Sequence, residues 1–332
     1  MNHYNNLTAL RWFSAGLVLF GHSFALMGLP EPVFMNYTRL GPLGVSIFFA
    51  VSGYLVTQSW ERDPHLYRFL ARRALRIFPG LAVCLAVSTF ILGPLLSTLR
   101  LTDYLAHPQA WHYFFENLFL YITFSLPGVF TTNIYPHAVN GSIWSLPVEF
   151  FMYLVVALIG IAKLPRFFWL IIIALLMYFS KTWSTVSVDP IIIYRSDLRA
   201  VITCGVYFWI GSAFCRYKFN PSSVTTLGVT MIAWICLSRW PELFAIGAEL
   251  AIPVLALGFG LATSNWLGRL SQYDYSYGIY IYAFPVQQTI AHFFPKMSIL
   301  PYLLLVSLIT LLLAAVSWHL IEKKALELKP KR

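Results

Sequence analysis

Charge is scarce in this chain. Of 332 residues only 11% are Asp, Glu, Lys or Arg, where a soluble domain carries about 25%. That shortage, beside a 58% hydrophobic content, excludes an ordinary water-soluble globular enzyme. Acids are scarcer than bases: 13 Asp and Glu face 23 Lys and Arg, for a net charge of +10. Cysteine is also rare. Cys84, Cys204, Cys215 and Cys236 lie in apolar stretches without C-x-x-C spacing, which argues against a disulfide framework or a zinc site and for small buried hydrophobes. The eight histidines and the carboxylates show no metal-ligand spacing. Internal repeats, low-complexity tracts and a soluble domain are absent. The first apolar run lacks a small-residue cleavage site, so it is expected to stay as a membrane span.

What is present is a series of apolar segments: 7–27, 41–60, 77–97, 142–162, 167–180, 198–214, 222–237, 243–263, 275–294 and 299–321. They predict an all-α, polytopic transmembrane helical bundle of about ten spans, forming a single domain over residues 1–332. With the N-terminus inside, ten crossings place sixteen of the 23 basic residues on the inner side and seven outside. This asymmetry satisfies the positive-inside rule, accounts for the net charge without nucleic acid, and makes both termini cytoplasmic. Residues 111–124 are apolar but short and carry Glu116 and Asn117. An eleventh span there would invert every later basic loop, so residues 98–141 are expected to form an outer excursion with a re-entrant or interfacial helix.

Five groups of residues could carry chemistry. Arg11 and His22 are the ionisable residues of the first segment. Eleven positions apart, they share a helix face about 16 Å apart along the axis. Arg11 falls near one surface, where a snorkelling arginine is common; His22 falls well inside, where an ionisable group is costly enough to suggest function. Arg68, Arg72, Arg73 and Arg76 form an inner loop closed by Pro79. Their forks suit phosphates, although such clusters also anchor topology or touch anionic lipid. In the segment from Ser142 to Tyr153, Ser142 or Ser145 could cap a helix and Pro147 suits its first turn. Glu149 then either stabilises the positive helix end or faces a cavity, close enough to orient or deprotonate an imidazole. Ser52 and Gly53 suit close helix packing and would let a narrow acyl-pantetheine arm pass. The tyrosines between Tyr275 and Tyr282 fit an interfacial belt.

Taken together, these motifs resemble the acyltransferase-three family of integral membrane O-acyltransferases, over essentially the whole chain from residue 7 to about 323. The resemblance is carried by Arg11-x10-His22, Phe48-Phe-x-x-Ser-Gly-Tyr-Leu55, Arg72-Arg-x-x-Arg-Ile-x-Pro79, Trp144-Ser-Leu-Pro-Val-Glu149, Ser276-Tyr-Gly-Ile-Tyr280 and Ile321-Glu322. Each motif is weak alone; six in order are specific. Ser46, Ala283 and Lys323-Lys324 stand where relatives often carry an acid, a histidine and a proline. These departures bear on helix ends and acceptor choice.

The resemblance implies transfer of an acyl group, foremost acetyl, from cytoplasmic acyl-CoA to a hydroxyl of an envelope or secreted glycan, in a bacterial inner membrane. Acyl-CoA is then a substrate and no cofactor or metal is permanently bound. Arg72, Arg73 and Arg76 would hold the CoA phosphates and Arg11 would extend that path inward. His22 would act as general base or as a covalent acyl relay, with Glu149 orienting it. Ser52, Trp144 and Ser145 would line the cavity or the acceptor site. Two other classes are open: a transporter of a saccharide, lipid-linked saccharide or acyl donor, and a sensor or scaffold in which His22 and Glu149 tolerate polar replacement.

Overall fold

The computed structural model of the chain describes residues 5–185, 189–264, 267 and 273–330. Long apolar stretches must satisfy their backbone internally, and here they do so as helices. α1 covers Leu7–Leu26, α2 Leu40–Arg62 and α3 Leu66–Val87. Helices Ser145–Ile161, Phe167–Thr185, Leu198–Arg216, Val224–Cys236, Pro241–Leu261, Ser276–Phe293 and Ile299–Ser317 follow. Among the described residues, sheet is limited to two hairpins of two-residue strands, Val33–Phe34 with Thr38–Arg39 and Ile192–Ile193 with Ser196–Asp197.

Each of the ten apolar segments contains a helix, but among the described residues seven helices are long and apolar enough to cross a membrane. The expectation of about ten spans is therefore met only for those seven. The apolar part Phe167–Trp183 and the helix Val224–Arg239 are shorter. Ser276–Phe293 has the length of a span, yet its tyrosines and Gln287–Gln288 make it too polar to qualify.

The excursion over residues 98–141 holds two short helices, Leu101–Ala106 and Pro108–Leu118. The second, at 11 residues, is roughly 16 Å long, about half a bilayer core. Buried hydroxyl and amide groups fix this segment: Tyr104 Oη donates to the Thr89 carbonyl at 2.8 Å, and Asn117 Nδ2 donates to the Thr123 carbonyl at 2.9 Å.

Several local expectations are corrected. The arginine cluster is not a loop closed by Pro79: α3 starts at Leu66, carries all four arginines and includes Pro79 in its interior. It then passes through a π-helical turn, Ser88–Leu92, and ends at Leu96. The rigid ring of Pro79 removes one backbone bond without ending a helix that packing holds on both sides. Neither Ser142 nor Ser145 caps the helix that follows; both hydroxyls point across to other elements. Tyr277, Tyr280 and Tyr282 are buried in the core and form no surface belt. Cys84, Cys204 and Cys215 are buried and unpaired, whereas Cys236 is exposed.

Small residues set the centre of the bundle. A methyl at Gly53 would run into the Phe208 carbonyl, and one at Gly211 into the Ala50 carbonyl. α2 and Leu198–Arg216 therefore approach to backbone distance, as membrane helices with small-residue faces do. At the periphery, Leu300, Leu304, Leu308 and Leu312 are all more than half exposed, a stripe suited to lipid.

Candidate functional site

A cavity of roughly 560 Å³ opens among α2, α3, Ser145–Ile161, the start of Ser276–Phe293 and the C-terminal segment. Its wall carries six cations, Arg11, Arg62, Arg72, Arg73, Arg76 and Lys329, against three carboxylates, Asp63, Glu149 and Asp274. Of the residues expected to form the site, the fold brings Arg11, Arg72, Arg73, Arg76, Ser52, Ser145 and Glu149 onto this one wall. His22 and Trp144 lie elsewhere.

The helical spacing of α3 explains the cationic side. Arg72 and Arg76 are one turn apart with Arg73 beside them, and two acids hold the outer members in place. Asp63, in the turn between α2 and α3, accepts from Arg68 Nη2 at 2.7 Å and Arg72 Nη1 at 2.6 Å. Those hydrogen bonds hold its carboxyl well below the usual carboxylate range. Asp274 accepts from Arg11 Nη1 at 2.5 Å and from Arg76 Nη2 at 2.8 Å. Burial pushes its pKa up, but the two guanidiniums prevail and bring it down to about 2. Ser276 Oγ donates to its other oxygen. Thus α1, α3 and the head of Ser276–Phe293 are joined at one carboxylate. A π-helical turn, Trp318–Glu322, brings the buried Glu322 to 3.9 Å from Arg76, the kind of local widening often found at functional sites.

Arg73 differs from its neighbours. No carboxylate pairs with it among the described residues, its Nε is buried without an acceptor, and its guanidinium lies 5.9 Å from the Tyr153 ring centre. On the same wall, Glu149 Oε1 accepts from both Ser52 Oγ and Tyr153 Oη, each at 2.6 Å. No hydrogen bond or ion pair joins Glu149 to His22, so the carboxylate does not orient the imidazole in this arrangement.

His22 is half-buried and sits against a different set of groups. Its Nδ1 lies 3.5 Å from Ser142 Oγ, and its ring meets the edge of Phe284 with centres 5.3 Å apart. Tyr280 connects this spot to the main cavity: its buried hydroxyl donates to the Ser142 carbonyl at 2.7 Å and pairs with Ser145 Oγ at 2.6 Å. Phe284 also meets Tyr135, with ring centres 6.3 Å apart. Tyr135 and Trp144 line a second pocket of about 500 Å³, together with Ser125, His137 and Gly141. Its wall is held to the Ser276–Phe293 helix by Gln288 Nε2, which donates to the Tyr135 and Ala138 carbonyls at 2.7 Å each. His22 and Phe284 therefore stand between the cationic cavity and a separate aromatic one.

Asp63, Asp274 and Lys329 were not singled out in the sequence, and Tyr153 and Tyr280 stood in noted segments without a site role. Asp63 had a usable signal, since it precedes Arg68 and Arg72 by five and nine residues. Asp274 is 263 positions from Arg11, beyond any local pattern. Among the described residues, no three His, Cys, Asp or Glu side chains are grouped as metal ligands.

A family model described as an acyltransferase domain matches residues 4–320. An O-acetyl transferase of Shigella phage Sf6 is 29% identical, covering 98% of this chain and 97% of its own. Nodulation protein 10 of Rhizobium leguminosarum bv. viciae is 29% identical, covering 98% of this chain and 94% of its own. A peptidoglycan O-acetyltransferase of Listeria monocytogenes is 29% identical over 50% of this chain and 28% of its own. No solved structure matches the chain.

Proposed function

The chain belongs to the acyltransferase-three family of membrane proteins and is an acyltransferase, and on that premise we propose that it moves an acetyl group from cytoplasmic acyl-CoA to a glycan hydroxyl on the opposite face of a bacterial inner membrane. The observation that carries this reading is His22 placed between two cavities, linked to one through Ser142 and Tyr280 and to the other through Phe284 and Tyr135. One is cationic and suits a phosphorylated donor. The other is lined by Tyr135 and Trp144 and suits the faces of a sugar ring. The names of the phage and Listeria relatives support O-acetylation and an envelope glycan as acceptor. The match from residue 4 to 320 supports one integral membrane acyltransferase domain. We read ten crossings, with both termini cytoplasmic and the arginine cavity facing the cytoplasm.

In this scheme the donor phosphates lie against Arg72, Arg73 and Arg76, and the pantetheine arm runs past Ser52 and Glu149 toward Ser142. His22 Nδ1–H faces Ser142 Oγ, leaving Nε2 as the base. The acceptor O–H gives its proton to Nε2 as its oxygen attacks the thioester carbonyl. The tetrahedral intermediate expels the thiolate, breaking the C–S bond, and the imidazolium returns the proton to sulfur. The products are an acetyl ester and free CoA thiol. Glu149 holds Ser52 and Tyr153 in place as a positioning residue.

The test is acyl transfer by purified protein in nanodiscs, with labelled acetyl-CoA and a panel of envelope glycans. Label on a glycan with the wild type and none with folded His22→Ala supports the enzyme and the role of His22. Substrate flux without acyl transfer would favour a transporter instead.

A further inference from the structure

Lys329 lies beyond residue 320, where the family match ends, yet it forms part of the cationic cavity. The chain continues past Ile299–Ser317 and the π-helical turn into a short helix, Lys323–Glu327, whose Ala325 is buried. This folds the end of the chain back so that Leu326, Lys329 and Pro330 line the same wall as Arg72, Arg73 and Arg76.

Pairing the charges on that wall leaves a surplus at one place. Arg72 is taken by Asp63, and Arg11 and Arg76 share Asp274. Arg73 and Lys329 meet no carboxylate among the described residues. Two guanidinium N–H donors, Nε of Arg72 and Nε of Arg73, are buried without an acceptor. A buried donor left unmade is costly, and neighbouring cations without counter-charge repel. One ligand class answers both conditions, an anion with several acceptor oxygens, and phosphate is the one arginine and lysine take best.

We propose that Lys329 and Arg73, with the free Nε of Arg72, form a phosphate seat at the mouth of the cavity, and that the C-terminal segment is thereby part of donor binding. The identification of that phosphate with the donor's rests on the acyl-CoA reading above. Lys329 is a binding residue for the donor and takes no part in the bond changes. Burial first, and then Arg73, Arg76 and Arg72 of α3, push the Lys329 ammonium down to about 8, with Asp274 opposing. An arriving dianion favours the charged form, so the seat weakens as pH rises through 8.

Two readouts test this on the full chain in phosphatidylcholine nanodiscs, which offer no anionic lipid. The first is calorimetric titration with inorganic pyrophosphate, which needs no turnover. Lys329→Gln should weaken binding about tenfold, or about 1.4 kcal/mol, and Lys329→Arg should restore most of it. The second is steady-state transfer: Lys329→Gln should raise the acetyl-CoA KM about tenfold with kcat within about twofold. Wild-type KM should climb between pH 7 and 9, and that of Lys329→Arg should stay flat. With a donor lacking the 3′-phosphate, disappearance of the Lys329→Gln penalty assigns the seat to that phosphate, and persistence assigns it to the diphosphate. Wild-type pyrophosphate affinity in Lys329→Gln overturns the seat. Pyrophosphate binding that depends on Lys329, in a protein that never turns over acetyl-CoA, would leave the seat standing and sink the donor assignment instead.

Discussion

Asp274→Asn is the perturbation whose size follows most directly from the structure. One carboxylate holds Arg11 of α1 and Arg76 of α3, so removing its charge leaves two guanidiniums side by side with Arg73 close by. The side chains of Arg11, Arg76 and Asp274 are 20%, 14% and 15% exposed. That places the cluster between a surface pair, worth about 0–1 kcal/mol, and a fully buried one, whose breakage costs about 3–5 kcal/mol. Asparagine keeps an oxygen for one of the donors, and Glu322 stays 3.9 Å from Arg76. A loss of roughly 2–4 kcal/mol is expected, or a fall of about 3–6 °C in Tm. The 11 tryptophans report unfolding by their fluorescence. Millimolar pyrophosphate should return part of the loss by standing in for the missing carboxylate. The pH dependence has a definite sign. The Asp274 pKa is lowered to about 2 in the folded protein, so its contribution is present above about pH 4 and is lost as pH falls through about 2. Asp274→Asn should lack that acid-labile part. A Tm within about a degree of wild type, unmoved by pyrophosphate, would refute the counter-ion role.

Other expectations follow from single contacts. Gly53→Ala drives a methyl into the Phe208 carbonyl, so α2 and Leu198–Arg216 must separate; a loss of about 1–3 kcal/mol or more and reduced yield of folded protein should appear in thermal unfolding and gel filtration. Tyr280→Phe leaves the buried Ser142 carbonyl without its donor and Ser145 without its partner. It should cost about 1–3 kcal/mol and, by loosening Ser142 beside His22, lower kcat about tenfold with little change in donor KM. Glu149→Gln removes the charge that accepts from Ser52 and Tyr153; transfer should fall at least tenfold (roughly 1.4 kcal/mol), while pyrophosphate binding at the arginines is retained.

Much of the fold was legible because apolar length is a local property. Every segment read as a span contains a helix, and the polar interruption at Glu116 and Asn117 marked a stretch that stays short. Span counting was less secure where burial replaces lipid. Ser276–Phe293 keeps its tyrosines and glutamines because protein surrounds them, with Gln287 donating to Ser23 and the Leu19 carbonyl. Helix ends were hidden for a related reason. Pro79 and the two π-helical turns are tolerated inside long helices, so punctuation that ends a helix in isolation does not end one here. Within the site, spacing could group Arg72, Arg73 and Arg76 on one face, since helical periodicity puts them there. It could not pair Glu149 with Ser52 or Arg11 with Asp274, because those contacts depend on how distant helices cross. Spacing also left open whether Glu149 stabilises a helix end or faces a cavity; the resemblance implied that it orients His22, whereas the structure turns it toward Tyr153 one helical turn away.

The most direct measurement is a sided transfer assay in proteoliposomes. Labelled acetyl-CoA is given only on the face bearing the arginine cavity, and a membrane-impermeant glycan acceptor is sealed on the other. His22 acting between the two cavities predicts that label accumulates on the enclosed glycan, and that none does with folded His22→Ala. Label appearing only on glycan supplied on the same face as the donor, or unchanged transfer by His22→Ala, would contradict it.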